Sequence, residues 1–305
     1  MKISIILPTF NRSAILKNTI SNIQNQTFEN YELIIINDAS TDNTLKVIQE
    51  LNKKDSRIKI INNKENYGCA KSREIGLSHS KNEIIVFIDD DDKWNNQKLK
   101  KQYDAMMHKN SDIVISDYNI LIDKKKIYKK MYAFSQNFKQ NILEKPGPFF
   151  QCVMIKKKII QKMNNPFDTK AVPSEDWNFF IELSKLNPTI SYINEALFTW
   201  KIHSDNQSLN LEKEAIALEY IINKHYDYIK SECNVKVLAN HYRRIARIYE
   251  KQYNLKNIKR LYIKAFQINP MSIKNIFYYI LVLIGYQYSQ FIISGVRKLR
   301  GMKNA

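Results

Sequence analysis

Short apolar runs alternate with stretches of helical period through the first hundred residues. Ile3–Leu7, Tyr31–Asn37, Arg57–Asn62 and Glu83–Ile88 read as strands. Between them, Ser13–Gln26 places Ile15, Leu16, Thr19, Ile20 and Ile23 on one helical face. Thr41–Lys53 does the same with Leu45, Ile48 and Leu51, and Ala70–Ser80 is a third amphipathic segment. Strands that alternate with helices, and are apolar on both faces, predict a mostly parallel, doubly wound α/β sheet with right-handed crossovers. In such sheets a ligand sits beyond the carboxyl ends of the strands.

Further along, Asn95–Lys109 has helical period and Asp112–Ser116 reads as a strand. Lys124-Lys125-Lys126 suits a hairpin tip, and Pro146-Gly147-Pro148 a turn before a strand over Phe149–Ile155. Ser174 stands where it can cap a helix whose first turn carries Glu175 and Asp176. From Leu211 the pattern is helical throughout. Within it, residues 238–271 resemble one tetratricopeptide repeat, with Tyr242, Ile245, Ala246, Tyr249, Tyr262, Ala265 and Pro270 at its packing positions and Ile258 where a small residue is usual. The expected division is therefore an α/β domain over 1–208 and a helical region over 209–305.

With 44% hydrophobic and 26% charged residues in 305, the composition excludes disorder as the main state. Six glycines supply neither a G-x-x-x-x-G-K-[ST] loop nor a G-x-G-x-x-G turn. A bound phosphate must then be held by a metal, by side chains or by isolated backbone amides. Cys69, Cys152 and Cys233 lie far apart and are expected as buried free thiols in a reducing compartment. The apolar start is only five residues long before Pro8, too short for a signal peptide, which points to the cytoplasm.

Charge is uneven. The net charge is +18, and residues 233–305 contribute 14 Lys/Arg against the single acid Glu250. That asymmetry directs the C-terminal part toward a polyanion: acidic lipid, nucleic acid or a phosphate-rich substrate. Asn275–Val296 holds no charged residue across 22 positions and is followed by Arg297, Lys298, Arg300 and Lys303. Such a segment can lie at a membrane interface, cap the core as a buried helix, or span. Gln287, Ser289, Gln290 and Ser294, with aromatics at 277, 278, 279, 286 and 288, favour the interface.

The strand ends are acidic. Strand two runs into Asn37-Asp38-Ala39-Ser40-Thr41-Asp42, and strand four into Asp89-Asp90-Asp91-Asp92. Adjacent like charges cost ~1 kcal/mol or more each near a surface. A hard divalent cation would offset that cost, since it prefers carboxylate oxygen. The plainer alternative is that Asp91 or Asp92 caps a helix starting near Trp94, and the two roles can coexist. For Glu175 and Asp176 the choice is between complementing a helix dipole and serving as a general base with an orienting partner.

Taken in order, these segments resemble the family 2 glycosyltransferases, with their nucleotide-diphospho-sugar transferase fold, over roughly the first 205 residues. Ser4–Arg12 is similar to the opening strand and nucleotide loop, and Ile35–Asp42 to the second strand with its uracil-contacting aspartate, here Asp38. Asn66–Gly76 resembles the N-x-G-x-x-x-A-R-N-x-G segment, with Ser72 and Glu74 in place of the commoner residues. Phe87–Trp94 resembles the D-x-D element, Ser174–Trp177 the E-D motif, and Phe198–Ser208 the late R-x-H-x-x-x-x-S element, with Lys201 where arginine is usual.

The resemblance implies a nucleotide-sugar site of Pro8, Thr9, Asn11, Arg12, Asp38, Asn66, Lys71, Arg73, Asp89 and Asp90. Of these, Asp89 would meet the ribose. It further implies Mn²⁺ or Mg²⁺ on Asp91 with His203, and Asp176 as base beside Glu175. The implied activity is inverting transfer of a hexose from a UDP-sugar, glucose or galactose favoured. The acceptor would be a saccharide on undecaprenyl diphosphate in O-antigen or capsule synthesis, reached by an enzyme held peripherally on the anionic cytoplasmic face of the inner membrane. Nucleic acid is not an expected partner. The alternatives are a sugar nucleotidyltransferase, which would need a glycine-rich loop after the first strand, and a basic helical scaffold.

Overall fold

The structure, a computed structural model, describes residues 2–122, 124–201 and 210–285. Two compact units divide the chain at 206/207. The first opens with β1 (Ile3–Thr9), α1 (Ser13–Gln24), β2 (Tyr31–Asn37), α2 (Thr44–Asn52), β3 (Ile58–Asn62), α3 (Gly68–His79) and β4 (Ile84–Phe87). Next come β5 (Lys93–Trp94), α4 (Lys98–Lys109), β6 (Ile113–Ile122), β7 (Lys125–Lys129), α5 (Tyr132–Gln136) and α6 (Phe138–Glu144). The unit closes with β8 (Val153–Lys156), α7 (Lys157–Ile160), α8 (Glu175–Ser184) and β9 (Ile190–Lys201).

These strands form one mixed sheet in the order β3-β2-β1-β4-β8-β6-β9-β5, with β7 hydrogen-bonded to β6. The first four, β3-β2-β1-β4, are mutually parallel, as the strand–helix alternation predicts. Every residue of β1, β2 and β4 is buried, which is why these strands read as apolar runs without alternation. Their common direction brings Thr9, Asp38 and Asp89 to the same edge. Helix α3 lies so close to the sheet that a Cβ on Gly76 would sit 2.4 Å from Ile6 and 2.7 Å from Ile36. Only glycine fits that approach.

The second half of the sheet departs from the sequence reading. The expected strand at Phe149–Ile155 is a 3₁₀ turn over Phe150–Cys152 followed by β8. Strand β6 runs to Ile122, beyond Ser116, because β9 pairs with it in parallel as far as Leu121 and β7 pairs with it through Ile122. Ile122 pairs with Lys125 and Leu121 with Lys126, so these two lysines belong to β7 rather than to the tip. Helix α4 begins at Lys98, not near Trp94, and its N-cap Gln97 makes no side-chain cap bond. Asp91 and Asp92 are therefore not its caps. Of the three free cysteines only Cys152 is fully buried; Cys69 and Cys233 are half-buried.

The second unit contains α9 (Leu211–Lys224), α10 (Tyr226–Glu232), α11 (Val235–Lys251), α12 (Leu255–Ile268) and α13 (Ile273–Ile284). Helices α11 and α12 bury Tyr242, Ile245, Ala246, Tyr249, Ile258, Tyr262 and Ala265, whereas Pro270 is exposed. Among the described residues no helix is long and apolar enough to cross a membrane. The uncharged segment 275–296 is described only as far as Gly285.

Candidate active site

Loops leaving β1, β2 and β4 meet at the carboxyl edge of the sheet and are tied together by short polar side chains. Asn11, in a left-handed conformation at φ 53°, accepts hydrogen bonds on Oδ1 from the amides of Thr41 (2.8 Å) and Asp42 (3.3 Å). Its own amide donates to Ser40 Oγ. Asp38 is buried and accepts from the amides of Tyr67 (3.0 Å) and Gly68 (2.8 Å) and from Asn63 Nδ2 (2.7 Å). Gly68 has φ +81°, a conformation that leaves its amide free to turn toward Asp38 at the start of α3. Asn66 also accepts from that amide and is otherwise exposed.

The four consecutive aspartates have four different surroundings. Asp89 binds Arg73 Nη2 at 2.7 Å and accepts from Gln151 Nε2. Asp90 accepts from Thr9 Oγ1 at 2.7 Å and lies 3.6 Å from Arg12 Nε. Asp91 is half-buried. Asp92 is buried beneath, accepting from the amide of Asp89 at 3.4 Å. Burial first, and the neighbouring carboxylates next, push Asp92 well above the ordinary range. Burial raises Asp90 to about 7 against the hydrogen bond from Thr9. Asp89 is likewise raised by burial, against the pull of Arg73.

Arg73 joins this edge to α8. Its guanidinium is buried, binds Glu175 Oε1 at 2.7 Å as well as Asp89, and lies 4.9 Å over the ring of Phe150. Cys69 Sγ donates to the same Glu175 oxygen at 3.1 Å. Arg73 Nε and Glu175 Oε2 are both buried without a hydrogen-bond partner. Ser174 occupies the N-cap position of α8 but forms no side-chain cap bond. The first-turn acid Glu175 is therefore engaged with a cation 102 residues away, rather than only with the helix dipole.

Asp176, next to it, accepts from the amide of Trp177 at 2.7 Å. Protein surrounds its carboxyl closely while one edge reaches solvent. Burial, and then the charge of Glu175, raise it to about 7. A carboxylate so poised can accept a proton at neutral pH.

The remaining sequence-derived positions are less central. Pro8 is buried within β1, paired with Ile36. Lys71 is part-exposed and bound to Glu74 at 2.7 Å. His203 and the rest of the late motif beyond Lys201 lie outside the described residues. Sequence reasoning missed Gln151, which reaches Asp89 from the 3₁₀ turn, and Lys98, whose Nζ donates to Gln102 and lies 4.8 Å over the Trp94 ring. Burial lowers Lys98 to about 7.

Among the described residues, no three His, Cys, Asp or Glu side chains converge as a preformed metal cage. A hard cation of the Mg²⁺ or Mn²⁺ type needs less, since one or two carboxylates together with substrate phosphates hold it. Half-buried Asp91, amid carboxylates whose charge the fold suppresses, fits that donor set.

Comparison with known proteins bears on the fold and the family. The sequence model of glycosyl transferase family 2 matches residues 4–163. Over 211 residues the chain is 30% identical to the Escherichia coli UDP-Glc:alpha-D-GlcNAc-diphosphoundecaprenol beta-1,3-glucosyltransferase WfgD, a match covering 69% of this chain and 80% of that one. Over 277 residues it is 29% identical to the GalNAc(5)-diNAcBac-PP-undecaprenol beta-1,3-glucosyltransferase of Campylobacter jejuni, covering 83% and 86%. The crystal structure of residues 1–349 of S. aureus TarS in complex with UDP-GlcNAc superposes with a TM-score of 0.69 at 17% identity, over 95% of this chain and 92% of that one.

Proposed function

Because the chain belongs to glycosyl transferase family 2, and is thus a glycosyltransferase rather than a nucleotidyltransferase or a scaffold, we propose a specific reaction for it. It moves a hexose, glucose or galactose, from a UDP-sugar to a saccharide carried on undecaprenyl diphosphate, during synthesis of a bacterial surface polysaccharide. Two relatives whose names specify undecaprenol-linked acceptors support the acceptor class, and the UDP-Glc of one of those names supports the donor.

The observation that carries the reading is the link from the acidic edge through Arg73 to Glu175, beside Asp176. In the proposed reaction an acceptor hydroxyl attacks the anomeric carbon, the bond from that carbon to the diphosphate oxygen breaks, and UDP departs with inversion. Asp176 accepts the hydroxyl proton, its raised affinity matching neutral pH. Arg73 holds Glu175 and Asp89 at a fixed separation, so the base and the donor-side acids stay in register. Thr9 and Arg12 orient Asp90, and Asp38 shapes the loop at the start of α3, where the uracil would lie. Asp91, with His203, would hold Mn²⁺ or Mg²⁺. When bound, that ion supplies charge neutralisation to the departing diphosphate. Work at the cytoplasmic face of the inner membrane, as a peripheral protein, follows from the lipid-linked acceptor.

A donor panel assayed for UDP release, with synthetic lipid-diphosphate saccharides and with or without Mn²⁺, tests the reading. Acceptor-dependent release from UDP-glucose or UDP-galactose is the expected result. Release from no UDP-hexose with any such acceptor would refute it.

A further inference from the structure

Helix α13 is apolar on two sides, and only one of them is buried. Its inward side mixes a buried polar residue, Asn275, with half-buried Tyr278 and Tyr279 and buried Leu281 and Val282. Asn275 is fully buried and donates to the carbonyls of Ala265 (2.9 Å) and Asn269 (2.7 Å). Tyr278 stacks on Tyr262 at 4.4 Å and Tyr279 on Phe266 at 4.3 Å. The aliphatic side points out. Ile273, Ile276, Ile280, Leu283 and Ile284 are between 38% and 83% exposed. At about 100° per residue these five positions share one arc about 100° wide, and no polar residue of α13 falls within it. Exposed Lys274 lies about 80° beyond the arc's edge, past Phe277 and Leu281.

We infer that this arc is a membrane-insertion face, seated in the interface of an anionic phospholipid bilayer. A contiguous aliphatic patch of this kind marks an interaction surface, whereas scattered single residues do not. Charge selects the occupant. Residues 233–305 carry 14 cationic side chains and one acid, and the whole chain is +18. A second copy of the chain would meet like charge, while an acidic lipid surface is complementary. The isoleucines would enter the acyl boundary, and Lys274 and the exposed Lys256 and Lys259 of α12 would meet headgroup phosphates. The inference rests on the proposed function only in that a lipid-linked acceptor gives the enzyme a reason to be at a bilayer.

Co-sedimentation of the full chain with phosphatidylcholine vesicles, with and without about 30% phosphatidylglycerol, tests it. The wild type is expected to bind the anionic vesicles and to keep part of that binding at about 0.5 M salt, where purely electrostatic attachment is screened. The double variant Ile276→Glu/Ile280→Glu should bind at least ~10-fold more weakly. Its melting temperature and its turnover on a short-chain, water-soluble acceptor should be unchanged. Ile273→Ser/Leu283→Ser serves the same purpose should the first variant not fold.

Unchanged vesicle binding by a folded variant overturns the inference, as does failure of the wild type to bind. So does a loss of self-association alone in sedimentation velocity, which would assign the arc to a second copy. Vesicle binding needs no donor, so a failed donor panel with α13-dependent binding would sink only the functional proposal, and the reverse pattern only this inference.

Discussion

Asp176 holds its proton to about pH 7 because burial in the fold disfavours its charge. Two measurable consequences follow. As the proposed base it must be deprotonated, so transfer should rise with pH through an acid limb near 7, and Asp176→Asn should lower turnover at least ~100-fold. For stability the sign is opposite. A carboxyl raised from 3.8 to about 7 favours the fold fully below pH 4 and loses that contribution as pH rises through 7. Asp176→Asn, which cannot ionise, should therefore be more stable than wild type at pH 8, by at most about 4 kcal/mol, with the advantage vanishing near pH 4. Thermal melts at the two pH values check this. Arg73 behaves differently. Arg73→Met leaves buried Glu175 and part-exposed Asp89 without their cation and should cost about 3 kcal/mol in urea denaturation.

The separate fates of the four aspartates were not legible in the sequence. The run itself announced an acidic edge, but Arg73, Gln151, Thr9 and Arg12 reach it from 16 to 81 positions away. No local pattern pairs Glu175 with Arg73 either. Asp38 and Asp176 stood out because each belongs to a short contiguous motif.

At the level of elements, the parallel half of the sheet was readable because β1, β2 and β4 are buried on both faces and β1, β2 and β3 are each followed by a helix. The mixed half was not. Strand β9 alternates irregularly through Asn194 and Glu195, and its register against β6 shifts around Asp117. Strand β5 is two residues long and exists only because β9 pairs with it. Gly76 gives the element scale its own test. The approach of α3 to Ile6 and Ile36 leaves no room for a methyl group, so Gly76→Ala should destabilise by about 2 kcal/mol, read as a lower urea midpoint with an unchanged slope. Retention of the wild-type midpoint would mean that the helix can lift from the sheet at no cost.

For the whole molecule, charge and chemistry divide along the chain. The α/β unit gathers the acids at one edge of its sheet, and the helical unit carries most of the net positive charge. In the proposed reaction this partition would supply an acidic edge for the donor and a basic unit for an anionic surface. The account stands or falls on whether the acidic edge receives the donor's diphosphate through a cation. Calorimetric titration of UDP into the wild type and into Asp91→Ala, each with Mn²⁺ and with EDTA, measures this directly. The account predicts UDP binding by the wild type with Mn²⁺ that weakens at least ~10-fold in EDTA, and equally in Asp91→Ala with Mn²⁺ present. Equal UDP affinity across all four conditions would contradict it.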